Sequence, residues 1–233
     1  MKTILIVGAN SGVGKGIVQK LSNLDYQLIL TGTKFIETEN HSSYILNLKD
    51  DENIKSFVNQ LDKIDGVVLT AGIIEQIPLK FISREALYNL FDINFFGPLL
   101  VLKELSKQKK LNQGASIVAI SSIAGNKFGS IGNTIYASTK AAFDGAIKCL
   151  ALELTKQKVR INSIQPGMLD TEMWKAENTT IDSETLNKDA LRYPLGYGKP
   201  KDVANLVAFL LSEESTYING SAIVLDGGFS VAY

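Results

Sequence analysis

The chain has 233 residues, of which 45% are hydrophobic, and its 24 basic and 24 acidic side chains give a formal net charge of zero. This length and apolar content fit one domain with a sizeable core, and the balanced charge argues against nucleic acid or a membrane surface as a partner. The apolar runs have strand length, so we expect no membrane-spanning helix. The first run is short and meets a glycine-rich turn at once, which indicates a buried strand in a cytoplasmic protein rather than a signal peptide.

Apolar runs alternate with amphipathic stretches along the chain. The predicted strands are Thr3–Gly8, Gln27–Thr33, Tyr44–Leu46, Gly66–Thr70, Ser116–Ser121, Arg160–Gln165 and Ala222–Leu225. The predicted helices are Val13–Leu24, Asp51–Leu61, Arg84–Lys109, Thr134–Gln157 and Lys201–Leu211. Continuous apolar strands are typical of a parallel sheet with helices on both faces. The alternation predicts a doubly wound α/β fold of Rossmann type, with about seven strands in a single domain over residues 1–233.

A glycine-rich turn joins the first strand to the first helix. Its residues include Gly8, Asn10, Ser11, Gly12, Val13 and Gly14. Glycines permit a tight turn and a close approach of the backbone to a pyrophosphate, and the amides at the start of the helix point at the phosphates. We therefore expect these residues to bind a dinucleotide.

The end of the second strand indicates which dinucleotide is bound. A site that prefers NAD usually places a carboxylate there to bind the ribose 2′-hydroxyl group. In this chain the first acidic residue after the strand is Glu37. Thr33 and Lys34 could instead bind a 2′-phosphate through a hydroxyl and a cation. This favours NADP(H) over NAD(H), although Lys34 could also be a solvated loop residue.

Two rare residues limit the possible chemistry. His41 is the only histidine and Cys149 is the only cysteine. An intrachain disulfide is therefore excluded, and we expect neither a metal site nor a histidine-based triad. Cys149 lies within a helical pattern and is expected to be a small buried residue.

Tyr136 and Lys140 are four residues apart near the start of a predicted helix, so their side chains share one face. A lysine cation, together with an oxidised nicotinamide, would favour the phenolate and lower the pKa of Tyr136. Ser122 follows the fifth predicted strand, at the same sheet edge as the glycine-rich turn. Its hydroxyl could hold a substrate oxygen beside Tyr136, which would act as the acid or base.

In order and spacing these motifs resemble the short-chain dehydrogenase/reductase superfamily over essentially the whole chain, most broadly its 3-oxoacyl-carrier-protein reductases. The resemblance implies hydride transfer between a nicotinamide and a carbonyl or alcohol carbon, with Ser122, Tyr136 and Lys140 as catalytic residues. It also implies that Asn94 holds a water that links Lys140 to solvent. Thr70 stands where the family usually has Asn.

The resemblance assigns further contacts to the cofactor and suggests self-association. The cofactor contacts that it implies are Asn47, Leu48, Ala71, Gly72, Pro166, Gly167, Leu169 and Thr171, together with Tyr136 and Lys140. The closing Asp226–Gly228 turn commonly belongs to a subunit interface, so we expect a homodimer or homotetramer. Residues 171–197 are polar and follow a strand end, and we interpret them as a lid over the substrate; an ordinary surface excursion is the alternative.

Two other functions stay open at this stage. One is an NAD-linked dehydrogenase of a sugar, polyol or sugar nucleotide, which a comparison of NADPH with NADH would distinguish. The other is a regulatory protein that binds the dinucleotide without chemistry. The substrate is expected to be a small carbonyl or alcohol compound, possibly carrier-bound. Trp174, Tyr193 and Tyr197 would suit an acyl chain or a sugar ring equally well.

Overall fold

The computed structural model describes residues 1–171 and 190–232, and within these ranges seven strands form one parallel sheet. The strands are β1 (Lys2–Val7), β2 (Tyr26–Gly32), β3 (Ser42–Ile45), β4 (Ile64–Leu69), β5 (Leu111–Ile120), β6 (Arg160–Pro166) and β7 (Ala222–Leu225). Their order is β3-β2-β1-β4-β5-β6-β7, and all pairings are parallel. The predicted Rossmann-type fold is therefore confirmed. The chain reverses its direction of winding between β1 and β4, which is where such sheets bind ligands.

Helices cover both faces of this sheet. They are α1 (Gly12–Ser22), α2 (Asp51–Gln60), α3 (Arg84–Phe91), α4 (Gly97–Lys107), α5 (Thr134–Glu153), α6 (Pro200–Leu211) and α7 (Phe229–Ala232). Ser11, Asp50 and Ser83 begin the first three, each accepting a hydrogen bond from an amide of the first turn. None of the helices in the described ranges combines the length and apolar character needed to cross a bilayer.

The central strand β1 shows how the two cores form. Ile4 and Ile6 pack on the side of α1 and α6, whereas Leu5 and Val7 pack on the side of α2, α4 and α5. All four side chains are at most 1% exposed. Burial of each contributes about 1.5–3 kcal/mol, so a strand that is apolar on both faces is held firmly in the middle of the sheet.

The predicted helix Arg84–Lys109 is interrupted in the structure. A π-helical turn, Asp92–Phe96, separates α3 from α4. A π turn adds one residue to a helical repeat, and because the apolar pattern continues through it, the interruption could not be predicted from the sequence. This turn carries Asn94.

Other differences from the predictions concern element ends and one side chain. β5 begins at Leu111 rather than Ser116, because Leu111 pairs with Ile64 through a shift in register. Short 3₁₀ turns at Leu79–Phe81, Ile123–Gly125, Leu154–Gln157 and Glu213–Ser215, and the helix α7, were not predicted. The prediction that Cys149 is buried is wrong, because it lies on the exposed face of α5.

Candidate active site

The carboxyl ends of the central strands meet at one edge of the sheet, and the predicted site residues follow them. The amides of Gly8 and Ala9 donate to the Thr31 carbonyl oxygen at 3.1 and 2.8 Å. The Ala71 amide donates to the Val7 carbonyl oxygen at 2.9 Å. The ends of β1, β2 and β4 are thereby joined, and the glycine-rich turn lies directly beside Ala71.

The shape of the glycine-rich turn depends on the absence of side chains. Gly8 has a φ of +92°, and a Cβ atom there would lie 2.5 Å from the Ala71 amide nitrogen. A Cβ atom on Gly14 would lie 2.3 Å from the Gly8 carbonyl oxygen. Ser11 begins α1, its Oγ accepting from the Gly14 amide at 2.9 Å. The amides of Gly12 and Val13, which precede Gly14 in the first turn, have no carbonyl partner within the helix and lie at its positive end.

The segment after β6 reaches over this turn. Pro166 ends the strand, and the Gly167 amide donates to the Leu225 carbonyl oxygen at 3.0 Å. Leu169 forms a parallel bridge with Gly198. A Cβ atom on Gly12 would lie 3.2 Å from the Thr171 Cβ atom, so Thr171 contacts the glycine-rich turn from above.

Ser122, Tyr136 and Lys140 come together at the end of β5. The Ser122 side chain interacts with the Tyr136 phenol and lowers its pKa, and the Ser122 hydroxyl accepts from the Ala124 amide at 3.2 Å. The Lys140 Nζ atom lies 5.7 Å from the centroid of the Tyr136 ring and donates to the Ile120 carbonyl oxygen at 2.9 Å. The phenol and the ammonium group therefore share one pocket, as the four-residue spacing predicts.

Asn94 connects the loop after β4 to α5. It is 3% exposed. Its Oδ1 atom accepts from the Ile73 amide at 2.8 Å, and its Nδ2 atom donates to the Ile73 carbonyl and to Thr139 Oγ1 at 2.9 and 3.1 Å. A Cβ atom on Gly72 would lie 3.3 Å from Asn94 Oδ1 and 3.5 Å from Lys140 Nζ. Asn94, Gly72 and Lys140 are therefore immediate neighbours.

Known proteins resemble this chain over nearly its full length. The model of the family described as Enoyl-(Acyl carrier protein) reductase matches residues 8–230. The 3-oxoacyl-[acyl-carrier-protein] reductase FabG of Rickettsia bellii is 30% identical, with 97% of this chain and 96% of the relative covered. Diacetyl reductase [(S)-acetoin forming] of Staphylococcus epidermidis is 33% identical, with 97% of this chain and 98% of the relative covered.

This chain belongs to the short-chain dehydrogenase/reductase superfamily. Solved structures agree: a short-chain dehydrogenase family protein of Francisella tularensis has a TM-score of 0.91 at 28% identity, with 99% of both chains covered. ElxO with NADP bound has a TM-score of 0.88 at 28% identity, covering 98% of this chain and 99% of its own. The chain is thus an oxidoreductase of a family that binds NAD(P)(H) and acts on carbonyl and alcohol groups.

The residues of this short-chain dehydrogenase/reductase fit a dinucleotide along the strand edge. Thr33 and Lys34 are exposed just beyond the end of β2. A Cβ atom on Gly32 would lie 2.8 Å from Asn10 Oδ1, so Asn10 fills the space beside Gly32. Gly12 and Gly72 add no side chains of their own beside Thr171 and Lys140, which suits a ligand that lies close to the backbone.

Asn47 and Leu48 occupy the turn between β3 and α2. Asn47 Oδ1 accepts from the Lys49 amide at 3.1 Å. The Leu48 carbonyl oxygen would lie 2.5 Å from a Cβ atom on Gly97. The turn therefore packs on the start of α4, and the Asn47 side chain is exposed next to the strand edge.

Burial dominates the acid–base properties of Tyr136 and Lys140. It raises the pKa of the Tyr136 phenol, and the hydrogen bond from Ser122 lowers that pKa by less. Burial also lowers the pKa of Lys140 to about 8, opposed by the charge of Asp144. The pKa of Tyr136 is therefore raised by the protein's own groups, whereas a lowered pKa was expected from the sequence. Desolvation of the phenolate outweighs the contacts that stabilise it.

An aromatic cluster lies next to Ser122. Tyr193 stacks on Phe229, with ring centroids 4.5 Å apart, and meets the edge of Tyr197 at 5.1 Å. Ile123, directly after Ser122, is buried in the same cluster. The predicted lid lies outside the described residues between 172 and 189, whereas its last part, 190–197, supplies the two tyrosines.

A buried polar group that was not predicted from the sequence lies beneath Tyr136 and Lys140. Asp144 is buried and accepts hydrogen bonds from Ser121, Ser163 and Gln165. A carboxylate one helical turn after Lys140, on the same stripe of α5, was the available signal.

Proposed function

We propose that this short-chain dehydrogenase/reductase is an NADP(H)-dependent ketone reductase whose catalytic residues are Ser122, Tyr136, Lys140 and Asn94. The observation that carries the proposal is the convergence of Ser122, the Tyr136 phenol and Lys140, whose Nζ atom lies 5.7 Å from the centroid of the Tyr136 ring. This group stands at the strand edge that also holds the glycine-rich turn.

Each residue has a definite task in the proposed reduction. Ser122 and Tyr136 hold the substrate carbonyl oxygen between their hydroxyl groups. NADPH, when bound, supplies the hydride to the carbonyl carbon. Tyr136 then gives its proton to the developing alkoxide, and in the oxidative direction it takes that proton back. The Lys140 cation stabilises the phenolate that remains and binds the nicotinamide ribose. Asn94, through a bound water, links Lys140 to solvent so that the proton is replaced.

The preference for NADP(H) is supported by the end of β2. Lys34 and Thr33 are exposed there and can offer a cation and a hydroxyl to a 2′-phosphate. Gly32 stands at the position of an NAD-type carboxylate, and a side chain there would displace Asn10. ElxO, which has NADP bound, is similar over 98% of this chain.

A ketone substrate is supported by the relatives and by the aromatic cluster. The names of the two relatives, a 3-oxoacyl reductase and a diacetyl reductase, both describe ketone reduction. Ile123 and Tyr193 offer an apolar wall beside Ser122. A 3-oxoacyl group on a carrier is therefore our leading candidate, and a small diketone is the next.

The test is NADPH oxidation with a 3-oxoacyl thioester, diacetyl and an aldohexose, using the wild type and Tyr136→Phe. The substitution should lower kcat by about 10²–10⁴-fold, as expected for loss of an acid–base group. Tyr26→Phe is the matched control, because Tyr26 begins β2 at the opposite end of the sheet. Near-normal turnover by Tyr136→Phe would refute the assignment. Tight NADPH binding without turnover of any compound would favour the non-catalytic alternative.

We also propose that the protein forms a homodimer or homotetramer. β7 is the last strand of the sheet, and an unpaired strand edge is a ready surface for association. Leu152, on α5, is 79% exposed. Light scattering should give two or four times the mass of the chain, and a monomer at micromolar concentration would contradict this.

A further inference from the structure

Asp144 lies buried beneath the catalytic pair, one turn after Lys140 on α5, and is only 5% exposed. Its Oδ1 atom accepts from Ser163 Oγ at 2.7 Å. Its Oδ2 atom accepts from Ser121 Oγ at 2.9 Å and from Gln165 Nε2 at 2.7 Å. A buried carboxylate is costly unless it is hydrogen-bonded, and here three side-chain donors satisfy it.

These donors lie on β6 and directly after the end of β5. Ser121 directly precedes Ser122 at the end of β5. Ser163 and Gln165 belong to β6, which runs into Pro166. One carboxylate on α5 therefore joins the Tyr136–Lys140 helix to the strand end that presents Ser122 and to the segment proposed to bind the nicotinamide.

The 3₁₀ turn after Ser122 packs on the same part of α5. A Cβ atom on Gly125 would lie 3.2 Å from the Lys140 carbonyl carbon and 3.4 Å from Asp144 Oδ2. The chain around Ser122 thus contacts both Lys140 and Asp144, and a displacement of the carboxylate would reach the catalytic serine directly.

Asp144 also supplies the negative charge that acts on Lys140. Lys140 is 6% exposed, and burial lowers its pKa while the charge of Asp144 opposes that effect. The groups that face it are Tyr136 and Asp144 from α5, the Ile120 carbonyl from β5, Gly72 from the loop after β4 and Asn94 from the π turn. Only Tyr136 and Asp144 among these groups titrate, and only Asp144 adds a charge opposite to that of Lys140.

We propose that Asp144 is a positioning residue: it holds Ser122 and the β6 segment against α5 and keeps the proton on Lys140. The inference rests on the proposed reductase function, because it matters only if Tyr136 and Lys140 act in catalysis.

The decisive variant is Asp144→Asn, which keeps the shape of the side chain and removes its charge. Lys140 should then lose its proton at lower pH, and a neutral Lys140 no longer supports the Tyr136 phenolate. In ketone reduction, the alkaline limb of kcat/KM should move down by about one pH unit, with kcat falling more than KM rises. An unchanged alkaline limb in folded Asp144→Asn would overturn the proposal.

A milder pair of variants tests the same idea if Asp144→Asn does not fold. Each variant removes one buried hydroxyl from a strand. Ser163→Ala removes the hydrogen bond of 2.7 Å to Asp144, whereas Ser116→Ala removes one of 2.6 Å to the Leu210 carbonyl oxygen. Without the Ser163 donor, the carboxylate holds the Lys140 proton more strongly, so the alkaline limb should move up by a few tenths of a pH unit. Ser116→Ala should keep the wild-type limb, and identical profiles for the two variants would overturn the proposal.

Tyr136→Phe separates this inference from the proposed function. If Tyr136→Phe keeps normal turnover, the reductase assignment fails. If Tyr136→Phe loses turnover while Asp144→Asn and Ser163→Ala keep wild-type profiles, only the role of Asp144 fails.

Discussion

Substituting Gly8 with alanine should destabilise the protein and weaken cofactor binding together. The backbone of Gly8 has a φ of +92°, and a residue with a Cβ atom pays about 1–2 kcal/mol for a left-handed conformation. The new atom would lie 2.5 Å from the Ala71 amide nitrogen. That amide is bonded to the Val7 carbonyl at 2.9 Å, so relief of the overlap, at about 1–3 kcal/mol, must part β1 from β4.

The total is a loss of roughly 2–5 kcal/mol in the free energy of unfolding, or roughly 5–15 °C in Tm for a chain of this size. Urea unfolding measures the first value and calorimetry the second, while fluorescence titration gives the Kd for NADPH. Gly145→Ala is the matched control, because Gly145 lies on the exposed face of α5 and has no atom within 4 Å of the new Cβ. It should gain about 0.5–1 kcal/mol from helix propensity. Gly8→Ala with wild-type stability and NADPH affinity would refute the argument from backbone geometry.

Three further predictions concern charged side chains. Lys34→Ala should raise KM for NADPH about tenfold and leave KM for NADH unchanged in steady-state kinetics, because a charge-assisted hydrogen bond to the 2′-phosphate is lost; equal increases would argue against this contact. Arg160→Met should lower the free energy of unfolding by about 2–4 kcal/mol in urea, since the guanidinium donates to the carbonyls of Leu210 and Ile218 and its loss leaves buried acceptors unpaired; wild-type stability would contradict this. Lys140→Met should abolish turnover and remove the dependence of stability on pH that Lys140 causes in the wild type. Burial lowers the pKa of Lys140 from 10.5 to about 8, so its destabilising effect is complete below pH 8 and fades as the pH rises toward 10.5. Wild-type stability should rise across that window in urea, and a rise of the same size in Lys140→Met would assign it to another group.

The fold was predictable because several of its strands are short, continuous apolar runs in the sequence. The apolar runs of β1, β4 and β5 indicate strands buried on both faces, and their alternation with amphipathic stretches leaves few possible topologies. The start of β5 was missed because its first residues include the polar Asn112 and Gln113, which lack an apolar run. The π turn at Asp92–Phe96 was missed because one added residue leaves the helical pattern continuous.

The candidate site was predictable only where its signal is local. The glycine-rich turn and the spacing of Tyr136 and Lys140 can be read from a few adjacent positions. The hydrogen-bond partners of Asp144 lie on β6 and directly after β5, 19 to 23 residues away in the chain. Their meeting depends on the pairing of β5 with β6 and on the packing of α5, which composition and spacing do not express. The raised pKa of Tyr136 is likewise a consequence of packing and not of spacing.

Deuterium transfer from NADPH labelled at the nicotinamide C4 position tests the central claim most directly. With a 3-oxoacyl thioester or diacetyl, the wild-type protein should form an alcohol that carries one deuterium on the former carbonyl carbon, as mass spectrometry and NMR would show. Tyr136→Phe should largely keep its binding of the cofactor and form that product about 10²–10⁴-fold more slowly. An alcohol without deuterium at that carbon, or equal rates of label transfer in the two proteins, would contradict the proposed chemistry.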